Sequence, residues 1–317
     1  MNVGSPLVTI AIPTFNRAHY IAETVESALN QTYENIEIII SDNCSTDNTE
    51  EIVKQFKEGK IRYYRQNTNI GMVGNWNFCL QQATGDFFLL LSDDDLLEKE
   101  AIERLLSQFN DTSITLAYSR VTYIDEYSNS IGKSLAAPCL ESGHEFIINS
   151  LKRKREVYPA ATIHRTETAK RLGGYLDIGS ATDLALRLSL AVGGTVAFLP
   201  EQLVKYRIHR HRISSSFDKV ISSHEALANW AGEPKCLLKP YEKNIKEYCS
   251  HVVYFMTISA MMRGQKKAAS TALTAARKLR FNWSFEVLIC LANLGVLKVL
   301  RQILSRIAVV SRNKLNN

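Results

Sequence analysis

Apolar runs alternate with helical patterns along the first 120 residues. Five largely apolar stretches have the character of strands: LVTIAI (7–12), IEIIIS (36–41), IRYY (61–64), DFFLLL (86–91) and TLAYSRV (115–121). Between them apolar residues recur at helical spacing, as at Ile21, Val25, Ala28 and Leu29. Because continuous apolar strands separated by helices are typical of sheets covered on both faces, the pattern predicts a Rossmann-like α/β fold with a mostly parallel sheet.

A second block follows a less regular region over 128–156. It contains a short strand over 160–164, helical patterns over 166–172 and 184–192, and two strand-like stretches, TVAFLP and QLVKYRI. From about Asp218 onward the pattern is helical. We therefore predict an α/β domain over 1–217 and an α-helical, basic and amphipathic region over 218–317.

Polar side chains cluster where the predicted strands end. These loops contain Thr14–Arg17, Asp42–Asn43, Asn69–Gly71 and Asp93–Asp95. Because ligands of open α/β sheets bind at the carboxyl ends of the strands, the loops predict a binding site at one edge of the sheet.

The three consecutive aspartates Asp93, Asp94 and Asp95 follow an apolar strand, where unpaired carboxylates repel one another. Carboxylate oxygens are preferred ligands of Mg²⁺ and Mn²⁺, and such a cation leaves coordination sites for a diphosphate. The alternative interpretation is an acid-rich helix N-terminus, which needs only one aspartate.

Several motifs in collinear order over residues 6–216 resemble the inverting family 2 glycosyltransferases of GT-A fold. They are VTIAIPTFNRAHYIAETVESALNQTYENIEIIISDNCSTDNT, NTNIGMVGNWN, ATGDFFLLLSDDD, LGGYLDIGSATDLALRL and KYRIHRHRISSS. The resemblance implies a GT-A fold with an α-helical C-terminal extension.

The resemblance also implies donor-binding residues. Pro13, Thr14, Phe15, Asn16 and Arg17 would line the nucleotide site, and Asp42 would accept a hydrogen bond from the base. Asn69, Gly71 and Asn77 would lie beside the ribose and diphosphate.

Further implied roles concern the metal and the reaction. Asp93 would approach the ribose or sugar, Asp94 would be the principal ligand of Mn²⁺ or Mg²⁺, and Asp95 would be a more distant metal ligand or helix cap. His209 would help hold the metal, and Arg207 would neutralise the leaving diphosphate.

Asp183 would be the general base, since a hydroxyl that attacks an anomeric carbon becomes acidic as the bond forms. An ion pair with Arg187, four residues on, is the alternative role. Relatives have Glu-Asp where this chain has Thr182-Asp183, so the class of acceptor stays open.

Charge is distributed unevenly along the chain. Residues 1–100 have 7 Lys and Arg against 15 Asp and Glu, a net of −8, whereas residues 219–317 have 16 against 5, a net of +11. The apolar and basic stretch SFEVLICLANLGVLKVLRQILSRIAVV predicts helices that lie on an anionic membrane face, pack on the core or form an oligomer contact. No basic motif with interleaved aromatic residues accompanies the charge, so we do not expect nucleic acid as a partner.

Six scattered cysteines and the absence of a leader-like N-terminus favour a cytoplasmic protein, peripheral at the inner face of the membrane if the C-terminal helices bind there. The expected activity is inverting transfer of a hexosyl or related sugar from a nucleotide donor to a glycan or lipid-linked acceptor. A nucleotide-sugar binder without catalysis and a nucleotidyltransferase stay open as alternatives. The first strand lacks the Gly-rich loop expected of a nucleotidyltransferase, and the oligomeric state stays open.

Overall fold

The computed structural model describes residues 5–56, 59–209 and 217–262. Backbone contacts divide the chain into two compact units. The first comprises residues 1–213 and 234–240, and the second comprises residues 214–233 and 241–317. The predicted domains over 1–217 and 218–317 stay predictions.

The described part of the first unit contains ten strands and seven α-helices. The strands are β1 (Val8–Thr14), β2 (Ile36–Asp42), β3 (Ile61–Arg65), β4 (Phe87–Leu90), β5 (Leu96–Leu97), β6 (Ile114–Ile124), β7 (Ser130–Lys133), β8 (Leu140–Ser142), β9 (Thr162–Arg165) and β10 (Thr195–Arg207). The helices are α1 (Ile21–Leu29), α2 (Thr49–Val53), α3 (Gly71–Gln82), α4 (Ala101–Leu106), α5 (Gly143–Leu151), α6 (Thr166–Arg171) and α7 (Thr182–Ala191).

The strands form one mixed sheet in the order β3-β2-β1-β4-β9-β6-β10-β5, with β7 beside β6 and β8 beside β10. Strands β1, β2, β3 and β4 pair in parallel, as do β6 and β10. Strand β9 lies antiparallel between β4 and β6, so β4 and β6 run in the same direction. Six strands therefore end at one edge of the described sheet, which confirms the predicted α/β fold with a mostly parallel sheet, and β9 is an antiparallel member of it.

Burial follows the apolar runs of the sequence. Every residue of β1 and β4 is buried, and all but one residue of β2. Helices α1 and α4 add Ile21, Val25 and Leu105 to the same core. The strands therefore read as continuous apolar runs because the sheet is covered on both faces.

Two details differ from the pattern. The stretches TVAFLP and QLVKYRI form a single strand, β10, whose register against β6 shifts between Leu199 and Gln202. Pro200, which has no N–H to donate, lies within that shift. Strands β5, β7 and β8 are only two to four residues long, too short to show a pattern.

The described part of the second unit is helical, with α8 (Phe217–Gly232) packed on α9 (Glu242–Met262). Neither these helices nor those of the first unit, as far as they are described, combine the length and apolar character of a membrane span. The amphipathic stretch over 284–310, on which the membrane prediction depends, lies outside the described residues, as do residues 210–216 of the basic motif.

Gly143 permits a close approach between the start of α5 and the end of α7. Its N–H donates to Gly194 O at 2.7 Å. A Cβ at this position would lie 1.6 Å from Ala191 O, a backbone atom. We expect Gly143→Ala to lower the free energy of unfolding by about 1–3 kcal/mol, because the main chain has to move to accept the methyl group.

Chemical denaturation measures this effect, and Gly59→Ala is the control because a Cβ there meets nothing within 4 Å. Equal losses of stability in the two variants would contradict the close packing that anchors α7.

Candidate nucleotide-sugar site

The loops after β1 and β2 are joined at the carboxyl edge of the sheet. Asn16, in a left-handed conformation with φ 55°, donates its N–H to Ser45 Oγ at 2.9 Å and accepts from Thr46 N at 2.7 Å. Ala18 N donates to Asp47 Oδ2 at 3.0 Å. These side chains hold the first predicted donor loop against its neighbour.

The predicted loop residues divide by exposure. Pro13 and Thr14 are buried at the end of β1, paired with Ser41 and Asp42 of β2. Phe15, however, is 42% exposed, which is unusual for a large apolar side chain in the centre of a site. Pro13 and Thr14 are therefore covered by the protein at this edge, whereas the Phe15 ring lies at its surface.

Asp42 is fully buried, and its carboxylate is committed to the protein. It accepts from Ser45 N at 2.7 Å, from the Tyr63 hydroxyl at 2.8 Å and from Arg65 Nη1 at 3.0 Å. A nucleotide base would have to displace these donors. The geometry argues against the predicted direct contact between Asp42 and the base, and favours a role in holding the loop after β2.

Asn43, which was not among the predicted site residues, organises the next loop. Its amide nitrogen donates to Asn69 Oδ1 at 3.0 Å and to Gly71 O at 3.2 Å, and its amide oxygen accepts from Ile70 N at 2.8 Å. Gly71 has φ 79°, a conformation that glycine adopts without strain. The Asp42–Asn43 pair directly after an apolar strand was the available sequence signal for this residue.

Asn77 on α3 contacts backbone of the second block. Its amide nitrogen donates to Tyr175 O at 2.7 Å, and its amide oxygen accepts from Tyr175 N at 2.8 Å. Gly174, with φ 71°, lies so close that a Cβ would be 2.5 Å from the same amide oxygen. Asn77 therefore joins the donor-side helix to the turn before α7, and this pairing competes with the predicted contact to ribose or diphosphate.

Asp93 faces the loop after β1. Its Oδ2 accepts from Phe15 N at 3.3 Å, and its Oδ1 lies 3.6 Å from Arg17 Nε. Burial and the neighbouring charge of Asp94 raise the pKa of Asp93 to about 7. The two carboxylates thus repel each other at the edge of the sheet, as the sequence predicts.

Asp94 pairs with His209, the residue that follows β10 by two positions. Asp94 Oδ2 lies 2.7 Å from His209 Nε2, and the two side chains are 16% and 4% exposed. Oxygen and imidazole donors beside a second carboxylate fit a divalent cation that takes its remaining ligands from a diphosphate or water. Over residues 5–56, 59–209 and 217–262 no three His, Cys, Asp or Glu side chains group as metal ligands.

Asp95 and Arg207 have buried structural contacts. Asp95 is 1% exposed and accepts from Arg207 N at 2.9 Å. Arg207 is also 1% exposed, with its guanidinium hydrogen-bonded to protein acceptors at each nitrogen. These contacts argue against Asp95 as a metal ligand and against Arg207 as a direct contact to the leaving diphosphate, because neither side chain is available to a ligand.

Asp183 lies at the start of α7 and lines an open cleft. Its Oδ2 is 2.5 Å from Arg187 Nη1, four residues on, so the alternative ion pair is present. The carboxylate is still 25% exposed and can reach a ligand. The cleft is lined by Leu90, Pro159, Thr162, His164, Tyr175, Asp183, Leu186, Arg187 and Leu190. Leu90, which lines this cleft, ends β4 three residues before Asp93.

The fold and this edge define a class of protein: a mixed α/β sheet of GT-A type with acidic and amide side chains at the carboxyl ends of its strands. The sequence profile of glycosyl transferase family 2 matches residues 9–168. The chain belongs to glycosyl transferase family 2 and is a glycosyltransferase.

Relatives and solved structures agree with this class. An uncharacterized glycosyltransferase of Rickettsia typhi is 27% identical over 87% of both chains. A putative teichuronic acid biosynthesis glycosyltransferase, TuaG of Bacillus subtilis, is 28% identical over 68% of this chain and 84% of the relative. A crystal structure of Staphylococcus aureus TarS residues 1–349 with UDP-GlcNAc has a TM-score of 0.68, with 17% identity over 93% of this chain and 89% of that one, and supports the fold.

His164 on β9 is a cleft residue that the motifs did not indicate. Its ring is 4% exposed and lies 5.7 Å from the Phe88 ring. Burial lowers the pKa of His164 to about 4, against 6.5 for an ordinary histidine. The imidazole is therefore neutral at pH 7 and offers the cleft an uncharged polar group.

The lowered pKa of His164 predicts acid sensitivity. Between pH 6.5 and pH 4 the unfolded chain binds a proton at this residue that the folded chain does not, so stability is lost as the pH falls. We expect His164→Gln to abolish about 2 kcal/mol of the decrease in unfolding free energy between pH 7 and pH 5. Denaturant titrations at both pH values measure it.

His144→Gln is the matched control, because His144 is exposed on α5. Identical pH dependence in the wild type and His164→Gln would contradict a buried neutral imidazole at this position.

Proposed function

We propose that this chain is an inverting, metal-dependent glycosyltransferase that moves a sugar, hexosyl or related, from a nucleoside diphosphate sugar to a hydroxyl acceptor. The observation that carries the proposal is the relation of two acidic centres to strand β4. Asp93 and Asp94 follow β4, and Asp183 faces the cleft that Leu90 of the same strand lines.

The donor side of the proposal rests on the joined loops after β1, β2, β3 and β4. The loop with Phe15, Asn16 and Arg17 is hydrogen-bonded to the loop after β2, which in turn binds the turn that contains Asn69 and Gly71. Asp94 and His209 would hold Mn²⁺ or Mg²⁺, and the cation when bound would neutralise charge on the diphosphate. Asp93, hydrogen-bonded to Phe15 N, would fix the loop against the donor.

The acceptor side rests on Asp183. The acceptor oxygen attacks the anomeric carbon, the bond from that carbon to the diphosphate oxygen breaks, and the acceptor proton passes to the Asp183 carboxylate. Arg187 holds one carboxylate oxygen through the 2.5 Å ion pair, which orients the other. Attack opposite the leaving group inverts the anomeric configuration and needs one base and no covalent intermediate.

The acceptor class is inferred from chemistry and relatives together. TuaG is named for teichuronic acid biosynthesis. A Campylobacter jejuni relative, 36% identical over 33% of this chain and 35% of its own length, is named as a glucosyltransferase acting on GalNAc(5)-diNAcBac-PP-undecaprenol. We propose a glycan or lipid-linked acceptor in surface polysaccharide assembly, at the cytoplasmic face of the membrane.

The donor proposal predicts metal-dependent binding of a nucleoside diphosphate. We expect one of UDP, GDP, ADP, CDP or dTDP, at about 100 times its Kd with Mn²⁺, to raise Tm by roughly 5 °C, since binding at that level stabilises by about 2.7 kcal/mol. Differential scanning fluorimetry measures the shift, with EDTA in place of Mn²⁺ as the control. No shift with any of the five would contradict the proposed function.

The choice of ion is supported by a structural neighbour that holds Mn²⁺. It is a mannosyltransferase of Pyrobaculum calidifontis with GDP-Man, with a TM-score of 0.59 and 16% identity over 99% of this chain and 88% of that one.

The base proposal predicts a kinetic effect without a binding effect. Asp183→Asn removes the proton acceptor and keeps the size of the side chain, so we expect transfer to fall about 10²–10⁴-fold with unchanged Kd for the donor. Release of the nucleoside diphosphate in the presence of acceptor measures transfer.

Glu167→Gln, which breaks an exposed ion pair with Lys170 on α6, is the control for loss of a helix-surface ion pair. Unaffected transfer in Asp183→Asn would exclude Asp183 as the base and favour a different base. Donor binding without any transfer in the wild type would favour a nucleotide-sugar binder. Release of pyrophosphate in place of nucleoside diphosphate would favour a nucleotidyltransferase.

A further inference from the structure

Arg207 is a buried cation at the end of β10, two residues before His209. Its side chain is 1% exposed, and it is the largest of the fully buried side chains in the described residues. A buried guanidinium is costly unless its N–H groups are hydrogen-bonded and its charge is paired. Its hydrogen-bond partners therefore indicate which parts of the structure this side chain holds together.

The guanidinium reaches three separate segments of the chain. Nε donates to Asp94 O at 2.8 Å, and Nη2 donates to Glu23 Oε2 on α1 at 3.0 Å. Nη1 donates to Ser128 Oγ at 2.9 Å and to the carbonyl oxygens of Asp125 and Glu126 at 3.3 and 3.4 Å. The aspartate loop, the first helix and the turn after β6 thus meet on one side chain.

Two further contacts fix the plane of Arg207 and its backbone. The guanidinium carbon lies 4.6 Å from the centre of the Tyr20 ring, and that ring is in turn 5.9 Å from the His209 ring. The backbone N–H donates to Asp95 Oδ1 at 2.9 Å. Arg207 therefore contacts Asp95, beside Asp94, and the Tyr20 ring, beside His209. It does not contact the Asp94 carboxylate or the His209 imidazole.

We propose that Arg207 is a positioning residue that sets the distance and orientation of Asp94 relative to His209. The inference rests on the proposed function, because it matters only if that pair holds a cation and a diphosphate. Asp94 and His209 are 115 positions apart in sequence, on a loop and a strand end. Arg207 binds the Asp94 backbone from the end of β10, two residues before His209, so it fixes the separation of the two ligands.

The role requires an arginine in particular. A lysine has the same charge but presents one nitrogen, which cannot reach Asp94 O, Glu23 and the turn after β6 together. Arg207→Lys therefore keeps the buried charge and removes the fork. We expect it to leave the fold in place and to loosen the Asp94–His209 pair.

The test is a titration of the wild type and of Arg207→Lys with MnCl₂, in which electron paramagnetic resonance measures free Mn²⁺. The nucleoside diphosphate that gives the largest thermal shift among UDP, GDP, ADP, CDP and dTDP is present throughout. We expect Arg207→Lys to raise the apparent Kd for Mn²⁺ by about tenfold. Circular dichroism and the unfolding midpoint are recorded for each protein to separate affinity from stability.

Arg155→Lys is the matched control. Arg155 is another buried arginine, 10% exposed and paired with Glu141 at 2.5 Å. Glu141 pairs with Val196 near the start of β10, and Arg207 is the last residue of that strand. The Arg155–Glu141 ion pair therefore lies at the opposite end of β10 from Arg207. We expect Arg155→Lys to lower stability and leave the apparent Kd for Mn²⁺ within twofold of wild type.

A second pair of variants covers the case in which Arg207→Lys does not fold. Glu23→Gln removes the charged partner of Arg207 from an exposed position, and Glu141→Gln removes the charged partner of Arg155 from a buried one. A rise of threefold or more in the apparent Kd for Mn²⁺ in Glu23→Gln, absent in Glu141→Gln, supports the proposal.

The outcomes separate the two levels of inference. The positioning role is overturned if a folded Arg207→Lys binds Mn²⁺ with wild-type affinity while Asp94→Asn abolishes binding. If Arg207→Lys does not fold, wild-type affinity for Mn²⁺ in Glu23→Gln overturns it in the same way. Equal losses in Arg207→Lys and Arg155→Lys also overturn it, since they indicate general destabilisation. No Mn²⁺-dependent binding in the wild type overturns the proposed function and the positioning role with it.

Discussion

The common direction of six strands is the constraint on which the rest of the structure depends. Strands β1, β2, β3, β4, β6 and β10 run one way, so the loops that follow them meet at one edge. Residues as distant in sequence as Asp42, Asp94 and His209 are brought to that edge by strand direction alone. The antiparallel strand β9 does not disturb this, because it lies between β4 and β6 and adds its own His164 to the cleft beside them.

An edge crowded with polar side chains is stable only if those side chains satisfy one another. Most of the described ones do so: Asp42 with Ser45 and Tyr63, and Asn43 with the turn at Asn69. Asp93 and Asp94 also have protein partners, but their mutual repulsion contributes to a raised pKa at Asp93. Repulsion between neighbouring carboxylates is expected at a site that binds a cation. Its occurrence at these two residues supports the assignment of function to this part of the edge.

Sequence patterns predicted the parts of this arrangement that depend on neighbours along the chain. The buried runs of β1, β2 and β4 were visible because strands covered on both faces are apolar throughout, whereas the two-residue β5 has no pattern to show. Residue types at the edge were also predictable, but not their partners. Arg207 was assigned to the donor because it lies in a basic motif; its pairing with Glu23, 184 positions away, is a consequence of tertiary structure that no local pattern encodes.

The two halves of the proposed reaction are connected through helix α3. Its first turn follows the Asn43-bound loop on the donor side, and Asn77, two turns later, holds both backbone groups of Tyr175. Tyr175 lines the cleft that contains Asp183, and the Thr182 hydroxyl donates to Leu176 O in the same turn. Asn77 thus joins helix α3 to the turn before Asp183. A carboxamide suits this position because it offers both a donor and an acceptor to the C=O and N–H of one residue.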